Sequence, residues 1–289
     1  MTQKYILITG ASTGMGRATA ELLDKKGYYV FAAVRKEKDA ESLRKTCSEK
    51  VIPILMDITD KAQIQAGFTK IQQICGENGL FALVNNAGIN VSSPIEFITD
   101  EQIKQIFDVN FYGLLHVSQI FIPLLRQYSI KNPDFGSRIL NLGSIGGYLA
   151  TPIISLYNAT KFAVLALSES LVLELAPSNI EVCYIAPGSV KTAIWEKSYD
   201  DADKTVQNLP KEGHELYGKV IDGVLKFSKK TENAGISSEK AAEKIVATIE
   251  TRKPKFRILI GNDANLFFWF NRLMPPRLKF KFLRKQLGF

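Results

Sequence analysis

Between residues 4 and 26 the sequence passes from a short Ile-rich apolar run, through a turn carrying Gly10, Gly14 and Gly16, into a helical pattern. A run that is apolar at every position suits a strand buried on both faces, as in a parallel sheet covered by helices. Strand, glycine-rich turn and helix in that order form a phosphate cradle. Glycine lets the backbone approach a pyrophosphate, whose charge meets the helix N-terminus. The turn reads Thr9-Gly-Ala-Ser-Thr-Gly-Met-Gly16, so the spacing is GxxxGxG and not the GxGxxG dinucleotide fingerprint.

The same alternation continues along the chain. Further strands are predicted over residues 28–34, 51–56, 80–84, 138–142 and 181–186, with helical patterns between them. This rhythm predicts an α/β fold: one domain with a Rossmann-type, doubly wound parallel sheet flanked by helices. Residues 1–262 form the catalytic domain in this reading. Residues 189–235 break the rhythm with scattered aromatics (Trp195, Tyr199, Tyr217) and charges, and are expected to be an irregular, mobile lid. Residues 263–289 form a basic, aromatic, helical C-terminal segment.

In such sheets ligands bind at the C-terminal ends of the strands. The second strand ends at Val34-Arg35, where an acid would read a ribose 2′-hydroxyl and an arginine a 2′-phosphate. Arg35, with Ser12 as a further donor, points to NADP(H) ahead of NAD(H), against the alternative of an ordinary solvated arginine. The third strand gives way to Asp57-Ile58-Thr-Asp60. Asp57 is placed to meet an adenine amino group or to cap the next helix, and Asp60 is the better cap candidate. The fourth runs into Asn85-Asn86-Ala87-Gly88. The fifth delivers Ser144, and the sixth closes at Pro187-Gly188.

Tyr157 and Lys161 stand four residues apart at the start of a long helical pattern, which puts both on one face. A phenol is nearly inert as an acid–base group at its ordinary pKa of about 10. Lowering it to about 7 takes about 4 kcal/mol. A nearby ammonium, joined by a cationic nicotinamide ring, is expected to supply this. Asn110, amid apolar neighbours in a helix expected over residues 101–127, needs hydrogen-bond partners: an ordered water or neighbouring backbone. The stretch from Phe162 to Leu175 is apolar around most of its circumference and reads as a helix-pairing surface between subunits.

Composition narrows the classes. Hydrophobic residues make up 46% of the 289, enough for a sizeable core. Three scattered cysteines and two histidines argue for reduced thiols and against a disulfide framework or metal site. No secretory leader is expected, and the apolar tract over residues 109–125 is too interrupted for a membrane span. A cytoplasmic location follows, with membrane association as an open addition. Ten basic residues and one acid follow Thr251, leaving 27 basic and 28 acidic residues before it. The tail is expected to pack over the substrate pocket or a subunit interface, or to make a peripheral membrane contact, and a nucleic-acid partner is not expected.

Thr9-Gly-(x)3-Gly-x-Gly16, Asn85-Asn-Ala-Gly88, Asn110, Ser144, Tyr157-(x)3-Lys161 and Pro187-Gly188, in this order, resemble the short-chain dehydrogenase/reductase family over residues 4–192. Ser12, the strand ending at Arg35 and the run around Ser144 resemble its 17β-hydroxysteroid dehydrogenase and retinol dehydrogenase branch. The resemblance implies that Gly10, Ser12, Thr13, Gly14, Met15, Gly16, Arg35, Asp57, Ile58, Asn86, Ala87, Gly88, Pro187 and Gly188 hold the dinucleotide, with Val190 and Thr192 at its carboxamide. It implies that Tyr157 is the general acid–base, that Lys161 lowers its pKa and holds the nicotinamide ribose, and that Ser144 binds the substrate oxygen. Asn110 would hold a water that links Lys161 to solvent. The implied activity interconverts an alcohol and a ketone or aldehyde of an apolar steroid, retinoid or lipid-like substrate, in a homodimer or homotetramer. The rival is a dinucleotide sensor or scaffold that kept the fold without the chemistry. A sensor needs only the cradle, and here the catalytic set is intact.

Overall fold

The computed structural model describes residues 3–191, 209–233 and 235–288. Strand β1 (Tyr5–Thr9) is buried at every position and leads into α1 (Gly14–Lys25). There follow β2 (Tyr29–Val34), α2 (Glu37–Thr46), β3 (Val51–Leu55), α3 (Lys61–Cys75) and β4 (Ala82–Asn85). The second half holds α4 (Asp100–Phe107), α5 (Leu114–Lys131), β5 (Ser137–Leu142), α6 (Ser155–Leu175) and β6 (Ile180–Pro187). Beyond lie the short strands β7 (Val190–Lys191) and β8 (Ile236–Ser237) around α7 (Lys211–Asn233). The final elements are α8 (Ser238–Glu250), β9 (Arg257–Ile260), α9 (Asn262–Leu273) and α10 (Pro276–Leu287).

Seven strands form one parallel sheet in the order β3-β2-β1-β4-β5-β6-β9. The chain reverses its direction of growth between β1 and β4, so a crevice opens beyond their C-terminal ends. Alternate strand residues feed two cores. Ile6 and Ile8 face Ala20, Leu23, Ile245 and Val246 of α1 and α8. Leu7 and Leu83 face Ile64, Val117 and Phe121 of α3 and α5. Covering the sheet on both sides is what lets every strand be apolar throughout.

The sequence reading needs amendment in three places. The helix expected over residues 101–127 is two α-helices joined by a π-helical stretch, Asp108–Gly113, which carries Asn110. β9 adds a seventh strand that the reading omitted. Part of the stretch expected to be irregular is a 23-residue helix, α7. Lid residues 192–208 and 234, among them Thr192, Trp195 and Tyr199, lie outside the described residues. Among the described residues no helix is long and apolar enough to cross a membrane.

Candidate active site

The glycine turn lies against the end of β4. Thr9 Oγ1 accepts the Asn86 and Ala87 amides at 3.0 and 3.1 Å, while Asn86 Nδ2 donates to the Thr9 and Gly10 carbonyls at 3.0 and 2.9 Å. Gly10 has φ of 65°, and a Cβ there would stand 2.8 Å from Ala87 Cα. A Cβ at Gly16 would collide with Asn86 Nδ2. The backbone is therefore free to come as close to a ligand as it does to Asn86. The Thr13 side chain does not cap α1, and the first turn of α1 carries no acid. Its leading amides suit a pyrophosphate, as a helix N-terminus with no competing anion should. Ser12 and Met15 line the same turn.

At the end of β2, Arg35 is exposed and makes no ion pair among the described residues. Asp60 caps α3, accepting from Ala62 and Gln63 amides at 2.8 and 3.3 Å, as the sequence favoured. Asp57 instead folds its Oδ1 onto the Thr59 amide and hydroxyl at 2.9 and 2.8 Å, beside buried Ile58. The chemistry present fits a nicotinamide dinucleotide: backbone amides at a glycine turn suit phosphates, and the Arg35 cation, with no ion pair among the described residues, suits a further phosphate.

Tyr157 and Lys161 share one face of α6. The Lys161 amine lies 5.5 Å from the Tyr157 ring centroid and donates to the Leu142 carbonyl at 2.8 Å. A Cβ on Gly88 would stand 3.4 Å from Asn110 Oδ1 and 3.7 Å from Lys161 Nζ, so all three meet at the end of β4. Asn110 accepts the Ile89 amide at 2.8 Å and donates to the Ile89 carbonyl and to Thr160 Oγ1 at 2.9 and 3.1 Å. Both its amide hydrogens are thus spent on backbone and on α6. The side chain therefore braces neighbouring backbone and ties the π-helical stretch to α6.

Burial pushes the Tyr157 phenol above its ordinary value, and its hydrogen bond to Ser144 only opposes this. Burial also brings the Lys161 amine down to about 8. Desolvation therefore sets the net direction at Tyr157 in this structure. The phenolate loses more hydration than the amine, turned to Leu142, returns. Ser144 Oγ accepts the Gly146 amide at 3.0 Å, which leaves its own O–H to be donated.

Two residues that the sequence reading passed over hold this site in place. The Tyr184 hydroxyl, fully buried, donates to the carbonyls of Ser144 and Lys161 at 3.2 Å and accepts the Ser144 amide at 3.3 Å. Asp263 accepts the Ser189 amide at 2.6 Å and packs against Gly188, tying α9 to the end of β6. No sequence signal marked either. Tyr184 reads as one more apolar strand position, and Asp263 stands 74 residues from its partner.

Ser144, Tyr157, Met15, Pro187, Gly188 and Val190 all line one cavity of about 260 Å³. Its walls include Gly146, Leu149 and Thr151, then Ile221, Val224 and Phe227 of α7, and Phe267, Leu283 and Leu287 of α9 and α10. The lining is mostly apolar, with Asp263 its one carboxylate among the described residues. Among the described residues no group of His, Cys, Asp and Glu is placed to hold a metal.

The family model described as short chain dehydrogenase matches residues 4–203. The NADPH-dependent 3-dehydrocapnine reductase of Ornithobacterium rhinotracheale is 29% identical over 290 residues, covering 98% of this chain and 97% of that protein. Human 17-beta-hydroxysteroid dehydrogenase type 2 is 36% identical over 226 residues, covering 75% of this chain and 56% of its own length, in keeping with the branch resemblance. A short-chain dehydrogenase structure from Streptomyces avermitilis superposes with a TM-score of 0.78 at 25% identity, covering 99% of this chain and 97% of that one.

Proposed function

The chain belongs to the short-chain dehydrogenase/reductase family, and from that premise we propose that it reduces a ketone or aldehyde of an apolar substrate to the alcohol, using NADPH and Tyr157 as general acid. Membership makes it an oxidoreductase of alcohols and ketones that uses NAD(P); the preference, the substrate class and the role of Tyr157 are the proposal. The observation that carries it is the convergence of Ser144 and Tyr157 with Pro187, Gly188 and Val190 on one mostly apolar cavity.

When bound, NADPH supplies the hydride that adds to the carbonyl carbon and is left with a positive ring. The carbonyl oxygen takes up the π electron pair and needs a proton. Burial keeps the Tyr157 phenol protonated at neutral pH, the form a general acid requires, and its Oη gives that proton. Ser144 Oγ–H donates to the same oxygen and holds it where negative charge grows. Lys161, within 5.5 Å of the ring, favours the phenolate that is left. The rise in the Tyr157 pKa suits reduction better than oxidation, which would start from the phenolate.

Gly10, Ser12, Thr13, Gly14, Met15 and Gly16 would hold the pyrophosphate, Arg35 the 2′-phosphate, and Asp57 and Ile58 the adenine. Asn86, Ala87, Gly88 and Lys161 would meet the nicotinamide ribose, and Val190 the carboxamide. The exposed stripe of Phe162, Ala166 and Leu173 along α6 supports pairing with a second copy in a homodimer or homotetramer.

Tyr157→Phe should lower kcat by about 10²- to 10⁴-fold in NADPH-dependent ketone reduction, with NADPH affinity kept. Near-normal turnover would end the proposed role. Arg35→Asp should raise the KM for NADPH about tenfold or more, since it removes a charge-assisted bond, and leave NADH nearly unchanged. Equal changes for the two cofactors would make Arg35 a bystander.

A further inference from the structure

Leu266, Trp269 and Leu273 recur at helical spacing on one face of α9, and all three are exposed, Leu266 by 67% and Leu273 by 74%. Behind them, Ala264 and Phe268 are buried, Phe268 edge-on to Tyr148 at 5.1 Å. On α10, Arg277, Lys281, Arg284 and Lys285 gather around Phe280 in one shallow depression. Leu278, Phe280 and Phe282 are exposed beside them, and Phe282 meets Phe270 of α9 at 5.0 Å, which joins the two helices. None of these four cations makes an ion pair among the described residues. Residues 264–289 contain no acid at all, and the nearest along the chain, Asp263, is turned inward to Ser189.

We propose that α9 and α10 form a docking face for an anionic lipid bilayer, with the α10 cations on headgroup phosphates and Trp269, Leu266 and Leu273 in the headgroup–acyl boundary. The chemistry matches that surface on both counts. An unpaired cationic cluster meets anionic phosphates, and a neighbouring apolar stripe with a tryptophan at its centre meets the interface. A nucleic acid would use the charge and leave the stripe wet. The inner side of the same helix pair, through Phe267, Leu283 and Leu287, walls the substrate cavity.

The test uses the full chain carrying Trp195→Phe, which leaves Trp269 as the sole tryptophan. With vesicles of mixed phosphatidylglycerol and phosphatidylcholine, the protein should co-sediment, its emission should shift to the blue, and brominated acyl chains should quench it. Lys281→Ala with Arg284→Ala should weaken that partitioning roughly 30-fold, from the loss of two cations near the surface. Trp269→Ser with Leu273→Ser should abolish it at raised salt. Both pairs should keep NADPH-dependent reduction of a small water-soluble ketone. Absence of vesicle binding, or binding unmoved by both pairs, overturns the docking face. So does a drop in sedimenting mass in either pair, which would give the face to a second copy. Ketone reduction without vesicle binding sinks this inference alone, while vesicle binding without any reduction sinks the catalytic proposal and leaves this one standing.

Discussion

The Lys161 amine has an ordinary value of 10.5 in the unfolded chain, and burial brings it to about 8 in the fold. Below pH 8 it is charged in both states, and the fold carries the full penalty of a buried cation. Between about 8 and 10.5 the folded amine gives up its proton first, so stability rises with pH across that window. The gap corresponds to about 3 kcal/mol, less about 1 kcal/mol for the bond to Leu142. Lys161→Met should therefore be the more stable protein near pH 7, with its advantage shrinking toward pH 10.5, while reduction is lost. Urea unfolding of both proteins at stepped pH checks this, and a pH-independent difference would mean that the amine is not depressed. At this scale the catalytic set was readable because it sits in local patterns: the i, i+4 pair on α6 and the small residues ending β4. Tyr184 and Asp263 were not, since each acts on a partner 40 or 74 residues away that only the folded sheet brings near.

Among the elements, the buried strands declared themselves through unbroken apolar runs, but two later pieces did not. β9 is four residues long and begins at Arg257, so its short apolar run was absorbed into a stretch read for its charge. α7 contains Gly213, Gly218 and Gly223, each costing a helix interior about 1 kcal/mol relative to alanine, which made it look irregular. Packing explains at least one of them. A Cβ at Gly223 would run into the Leu287 carbonyl, so glycine is what lets α10 lie against α7. α6 was legible as a helix, and its outward stripe bears on assembly. If that stripe pairs subunits, Phe162→Asp with Leu173→Asp should convert an oligomer to a folded monomer in analytical ultracentrifugation. A wild-type protein already monomeric at micromolar concentration would rule the pairing out.

Over the whole molecule, the described residues proposed to hold the dinucleotide all lie before residue 192, whereas much of the cavity wall comes from α7, α9 and α10. The C-terminal segment is bound in by the Asp263–Ser189 bond and by Phe268 packed on Tyr148 and under Arg257, whose Nε donates to the Tyr148 hydroxyl at 2.6 Å. These contacts pack the inner side of the segment over the cavity and leave its outer face exposed. Deleting residues 263–289 removes at least one large buried aromatic, so unfolding free energy should fall by about 3 kcal/mol or more. NADPH binding should survive, while KM for apolar ketones should rise far more than for small ones. Loss of NADPH affinity to the same degree would instead show that the segment supports the cradle.

On the proposed function, this division along the chain would let selectivity and redox chemistry vary separately. Replacing the closing helix pair with one of different bulk or polarity would hand the same hydride machinery a new clientele of molecules. A single ancestral body could in this way be diversified by grafting at one end, with every atom that moves electrons or protons left where it was.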